Sequence, residues 1–204
     1  MVRVGDPNKI KLSYGPEKKE FIVAVYLDGI IVSWLTAVCK LCDIDINDED
    51  IRDELKDGVY LDAMGVISEE DMWGAIDREG VSFWANLDPL PWAKKLMKAM
   101  EELGTVYILT SPGKCISAPS GKMEWLEKHF PEYLEKFICV RDKWIAAGEI
   151  DILVDDSIKK VEAFREHGSH AFHWPNDLRL LDGEEDVDEV IEKLKEEIKE
   201  YKKD

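Results

Sequence analysis

FIVAVYL, residues 21–27, closed at once by Asp28 and Gly29, is the stretch on which the fold turns. A nearly continuous apolar run of strand length, ended by a turn pair, is what a strand buried on both faces of a parallel sheet looks like. Working outward, shorter runs of the same kind recur at 106–109 (VYIL), 137–140 (FICV), 150–154 (IDILV) and at Ala171 and Phe172. Between them lie helical spacings. Trp92, Leu96, Met100 and Leu103 share one helix face, with Gly104 expected to stop that helix. Ser120 is expected to N-cap a helix through Met123, Leu126 and Phe130. Ile158, Val161 and Phe164 mark a third helix, and Val187, Val190, Ile191, Leu194, Ile198 and Tyr201 an amphipathic last one. Parallel neighbours need crossovers, and crossover helices cover the sheet. The expectation is an α/β fold, a three-layer parallel sheet with helices on both faces.

Residues 33–90 break this alternation. They are acidic, carry the breakers Gly58, Gly65, Gly74 and Gly80, and contain no convincing strand. The predicted organisation is a core of residues 1–32 and 91–204 with a small helical cap, 33–90, inserted after the first core strand.

Composition limits the partners. A formal net charge of −17 over 204 residues repels a nucleic-acid backbone, whose non-specific binding rests on basic patches. A small anion remains compatible with it, because a few converging cations or a bound divalent ion reverse the local field. No signal-peptide pattern and no apolar run of membrane-spanning length occurs, so a soluble, cytoplasmic protein without a membrane partner is expected, and a homodimer is compatible with that. Cys39 and Cys42 form a CxxC, but no second pair completes a zinc site. They read as reduced cysteines packing on a helix.

Ligands of open parallel sheets bind beyond the carboxyl ends of the strands. The residues found there are Asp28 after the first strand, Thr110 and Ser111 after the second, Arg141 and Lys143 after the third, and Asp155 with Asp156 after the fourth. Each alone is ordinary turn chemistry. Together they converge: paired carboxylates suit Mg²⁺, and hydroxyl and ammonium groups suit a phosphate.

The segments VYLDGII (25–31), YILTSPG (107–113), GKMEWLEKHF (121–130), FICVRDKW (137–144) and DILVDDS (151–157) resemble, in order, the motifs of the 5'(3')-deoxyribonucleotidases of the haloacid dehalogenase (HAD) superfamily. FWANLDPLP (83–91) resembles that family's substrate-pocket segment, and the helical insertion sits where the family carries its cap. The resemblance implies a HAD-like, Rossmann-like fold and a Mg²⁺-assisted site for a nucleotide or related phosphoester. It implies that Asp28 is the general acid and base, with its carbonyl on the metal. Thr110, Ser111, Lys122 and Lys143 would hold the phosphate, Asp155 and Asp156 the metal, and Phe83 and Trp84 would lie near the nucleoside, with Trp73 a weaker candidate.

One position departs from the family's pattern. The nucleophilic aspartate that would precede Asp28 by two residues is Tyr26. A phenol with a reference pKa near 10 is neutral at pH 7, a poor metal ligand, and much bulkier than a carboxylate. The expectation is a nucleotide- or phosphoester-binding protein whose hydrolysis is weak, altered or lost. Its alternatives are an active Mg²⁺-dependent nucleotidase and a non-catalytic protein-interaction module on the same fold.

Overall fold

The computed structural model describes residues 20–203. The expectations for the first nineteen residues, a missing leader and membership of the core, lie outside the described residues, as does residue 204. In chain order the described elements begin with β1 (Ile22–Val25), α1 (Trp34–Leu41), α2 (Glu49–Lys56), α3 (Glu69–Glu79), α4 (Val81–Ala85) and α5 (Ala93–Glu101). They continue with β2 (Thr105–Thr110), α6 (Ala118–His129), β3 (Phe137–Cys139), β4 (Ile152–Asp155), α7 (Ile158–Glu166), β5 (His170–His173), α8 (Asp177–Leu181) and α9 (Val187–Tyr201). Short 3-10 turns over Pro131–Lys136 and Lys143–Ala146 flank β3.

The strands form one sheet in the order β3-β2-β1-β4-β5, parallel at every pairing. Val23 lies beside Val106 and Ile152, and Val25 beside Ile108 and Val154. These six join one buried cluster, while Ala24, Leu109, Leu153 and Ala171 join another. Alternate strand residues face opposite sides, so the clusters are the two faces of the sheet. Both are dry, which is why β1 is apolar without interruption. On the first face pack Leu96 and Met100 of α5, Trp125 and Leu126 of α6, and Ile191, Leu194 and Ile198 of α9. Val161 and Phe164 of α7 cover the second.

Three local expectations are corrected. Gly104 does not stop α5 as a left-handed cap, since the helix ends at Glu101 and Gly104 is not among the positive-φ glycines. It is needed for close approach: a Cβ there would stand 2.3 Å from the Phe21 carbonyl oxygen, which accepts the Thr105 N–H at 2.9 Å. Ser120 is no N-cap but an exposed residue inside α6, which starts at Ala118 with Pro119 in its first turn. A proline there gives up only an N–H that the helix leaves unpaired anyway. Met123 and Ile158 are 44% and 46% exposed rather than core, because α6 buries Gly121, Lys122, Trp125 and Leu126, and α7 buries Val161 and Phe164.

Residues 33–90 are helical, and the two chains leading into and out of them run side by side. Ser33 N–H donates to Asp88 O at 3.0 Å, Leu90 N–H to Ile31 O at 2.9 Å, and the Trp92 indole to Ile30 O at 2.8 Å. Farther out, α2 is tied to α8 and the turn after it by Arg52 and Lys56 on Asp182 (2.5 and 2.6 Å) and by Lys56 on Glu184 (2.6 Å). Cys39 is buried, its thiol pushed up to about 11 by burial, and Cys42 is half-buried. Neither is disulfide-linked. No described helix is long and apolar enough to cross a membrane.

Candidate active site at the carboxyl ends of the strands

Asp28 follows β1 and is 8% exposed, Thr110 ends β2 and Asp155 ends β4, both fully buried. The parallel register puts these three strand ends side by side. From α6, Lys122 reaches in with no exposed surface and places Nζ 2.5 Å from Asp28 Oδ2, 3.0 Å from Thr110 Oγ1 and 2.9 Å from Ser111 O. All three ammonium protons thus have acceptors. The Trp84 ring, 4.7 Å from Nζ, closes the remaining side.

Tyr26 takes part in the same cluster. Its hydroxyl donates to Asp28 Oδ2 at 2.8 Å, the oxygen that Lys122 also contacts. Lys143 Nζ stands over its ring, 3.0 Å from the centroid. Burial holds the phenol well above its usual pKa, and Asp28, Asp156 and Asp155 add to that by disfavouring a second negative charge. A protonated phenol is no nucleophile for phosphorus.

Lys143, carried on the 3-10 turn after β3, forms an ion pair with Asp155 Oδ2, and both are almost wholly buried. Burial pulls the ammonium below its ordinary pKa while Asp155 opposes this. Asp155 Oδ1 accepts the Ser157 N–H at 3.0 Å. Asp156 is pushed up to about 8, by burial first and then by the charge of Asp155. Its Oδ2 lies where the Cβ of any other residue at 29 would stand, 2.3 Å away, and Gly29 has φ +75°: only glycine fits between β1 and this carboxyl.

The remaining candidates divide. Ser111 is half-buried, and its Oγ meets only the Gly113 N–H, at 3.4 Å, among the described contacts. Arg141 lies outside the cluster, exposed, tying the two loops together through Gly113 O at 2.9 Å. Trp84 is buried beside Lys122, and Phe83 meets it edge-on at 5.1 Å and stays half-buried. Trp73 lies against Gly113 and pairs with Trp34 at 6.0 Å. The sequence reading passed over Trp34, which packs on Trp73, and also Tyr60, 65% exposed. Neither stands in a motif; only the folding of the insertion over the strand ends brings them near.

The donors do not suit the expected Mg²⁺. That ion takes about six oxygens in a near-octahedral shell, several of them waters, and is held to the protein through one or two free carboxylates. Here Asp28 Oδ2 and Asp155 Oδ2 face ammonium groups and Asp155 Oδ1 faces a backbone N–H. Asp28 Oδ1 is the one buried oxygen of Asp28 and Asp155 that accepts no hydrogen bond among the described residues. No described group of three or more His, Cys, Asp or Glu is arranged to hold a metal.

Comparison with known proteins gives the family. The family profile described as 5' nucleotidase, deoxy (pyrimidine), cytosolic type C matches residues 20–194. A protein of Staphylococcus epidermidis, provisionally named a 5'(3')-deoxyribonucleotidase, is 30% identical over 145 residues, 70% of this chain and 77% of its own. The human cytosolic-type 5'(3')-deoxyribonucleotidase is 34% identical over 85 residues, 38% of this chain and 40% of its own. Among solved structures, a hydrolase of Streptococcus pneumoniae superposes with a TM-score of 0.50 at 12% identity, over 81% of this chain and 99% of its own, a likeness of fold. With a profile match over most of its length and a relative 30% identical over 70% of it, the chain belongs to the cytosolic-type deoxyribonucleotidase family.

Proposed function

We propose that this chain binds the phosphate of a (deoxy)nucleoside monophosphate or a related phosphoester at the strand ends, and that covalent hydrolysis of it is slow or lost. The observation that carries the reading is the placement of Tyr26: its hydroxyl is engaged by Asp28 and its ring packed under Lys143. Hydrolysis in this family's manner needs a carboxylate at this position to attack phosphorus, expel the nucleoside oxygen and then pass the phosphoryl group to water. A phenol that keeps its proton supplies no such attack. The oxygen that would have to remove that proton, Asp28 Oδ2, is already in contact with Lys122.

Binding draws on what remains. Ser111 Oγ and Thr110 Oγ1 are hydroxyls at the end of β2, and Lys122 and Lys143 supply two buried positive charges to a dianion. A phosphate would exchange for part of the protein's own pairing rather than add to it. Residues 33–90 would cover the bound nucleoside as a cap. Trp84 is occupied by Lys122, so of the aromatic candidates Phe83 and Trp73, both half-buried, are the ones left to meet a base.

The test is calorimetric titration of the protein with deoxynucleoside monophosphates, ribonucleoside monophosphates and inorganic phosphate. Saturable binding that is weakened about tenfold or more by Lys122→Met supports the reading, since that substitution removes a charge-assisted contact worth about 1.5–3 kcal/mol. No binding of any of them sinks it and leaves a pocket kept only as structure.

A further inference from the structure

We propose that the phosphoester site of this chain works without a divalent cation, its carboxylates being paired to Lys122 and Lys143 and Tyr26 standing where an anionic donor would be. The inference rests on the binding reading above for its ligand, but its argument is about the carboxylates. Two aspartates buried at adjacent strand ends need compensating positive charge, because an unpaired ion in a dry interior is expensive. Here that charge is built in. Lys143 neutralises Asp155 and Lys122 neutralises Asp28, each at contact distance, with both lysines at 2% exposure or less.

Space leads to the same conclusion. Tyr26 follows β1 two residues before Asp28, and its N–H donates to Val154 O in β4 at 3.0 Å, next to Asp155. Its ring holds Lys143 Nζ against its face at 3.0 Å, and its hydroxyl reaches Asp28. An aspartate at this position would offer oxygen to a metal; the phenol ring offers a π face, which attracts a compact ammonium close to it. Tyr26 therefore acts as a positioning residue. By removing one anionic donor and giving Lys143 a surface to rest on, it exchanges a cation that must be acquired for one that the chain carries. A built-in cation makes ligand binding independent of Mg²⁺ concentration.

The experiment is calorimetry and thermal denaturation of the native protein and Tyr26→Asp, each with Mg²⁺ alone, Mn²⁺ alone, and a deoxynucleoside monophosphate in Mg²⁺ or in excess EDTA. Native protein should show no heat and no rise in melting temperature with either metal alone. Its nucleotide Kd should agree within about twofold between Mg²⁺ and EDTA. Tyr26→Asp should gain a saturable Mg²⁺ response, and its nucleotide affinity should become EDTA-sensitive by about tenfold. Metal binding by the native protein, or EDTA weakening its nucleotide binding about tenfold, overturns the inference. If no nucleotide binds in any buffer, the binding reading fails by itself, and the metal-alone arms still decide this one. Should Tyr26→Asp not fold, those arms on native protein need no variant.

Discussion

Replacing Lys143 with methionine removes one half of a buried ion pair and keeps the side chain's length. The structure fixes what is lost. Lys143 and Asp155 have side-chain exposures of 2% and 0%, so water cannot take over as partner for Asp155. The Ser157 N–H stays on Oδ1, but Asp156 stands next in the chain and adds no positive charge. Breaking a pair of this kind costs about 3–5 kcal/mol, most of it the uncompensated carboxylate. With a urea slope of about 1–3 kcal/mol/M, the denaturation midpoint should fall by about 1–5 M. Lys143→Met combined with Asp155→Asn should recover most of the loss. A single-variant loss under about 1 kcal/mol would mean that the pair is solvated, and would refute the built-in counter-ion.

Tyr26→Phe should keep the fold and lose about 1–2 kcal/mol in denaturant titration, since only the hydroxyl contact to Asp28 goes. Gly104→Ala should cost about 1–3 kcal/mol by the same measure, because the new Cβ meets backbone, the Phe21 carbonyl oxygen at 2.3 Å, which cannot swing away. Asp177, 5% exposed with Oδ2 unpartnered among the described residues, is raised to about 6 by burial from an ordinary 3.8. Its folded form holds a proton that the unfolded form has released, so stability should fall by about 3 kcal/mol as pH rises from about 4 to about 6. Asp177→Asn should remove that part of the slope in melting curves across the range.

Much of this was legible before folding. The apolar run at 21–27 had to be a central strand because nothing in it could face water, and the sheet places it third of five. The order of Asp28, Thr110, Lys143 and Asp155 past successive strand ends implied their convergence, and Lys122 came from the family resemblance. What was not legible depends on tertiary contact. Helix periodicity assigned Met123 and Ile158 to the core, since spacing cannot tell which of two adjoining stripes faces inward. A glycine after a helix suggests a left-handed cap, and only the approach of Phe21 reveals the real demand at Gly104. The family resemblance could flag Tyr26 as foreign to its motif, but not that its ring would support Lys143, or that Lys122 would be paired to the expected acid-base carboxylate and Lys143 to one expected to hold a metal. Phe83 and Trp84 looked equivalent in sequence; packing of α4 on α6 separates them.

The most direct test of the central claim is phosphate release from deoxynucleoside monophosphates, measured for the native protein and for Tyr26→Asp side by side in Mg²⁺. The account predicts no turnover approaching about 1 per second for the native protein, although it binds the nucleotide, and turnover for Tyr26→Asp, whose carboxylate restores the missing attack. Native turnover at or above about 1 per second would contradict it, because a phenol held by Asp28 and Lys143 would then be no obstacle to the chemistry.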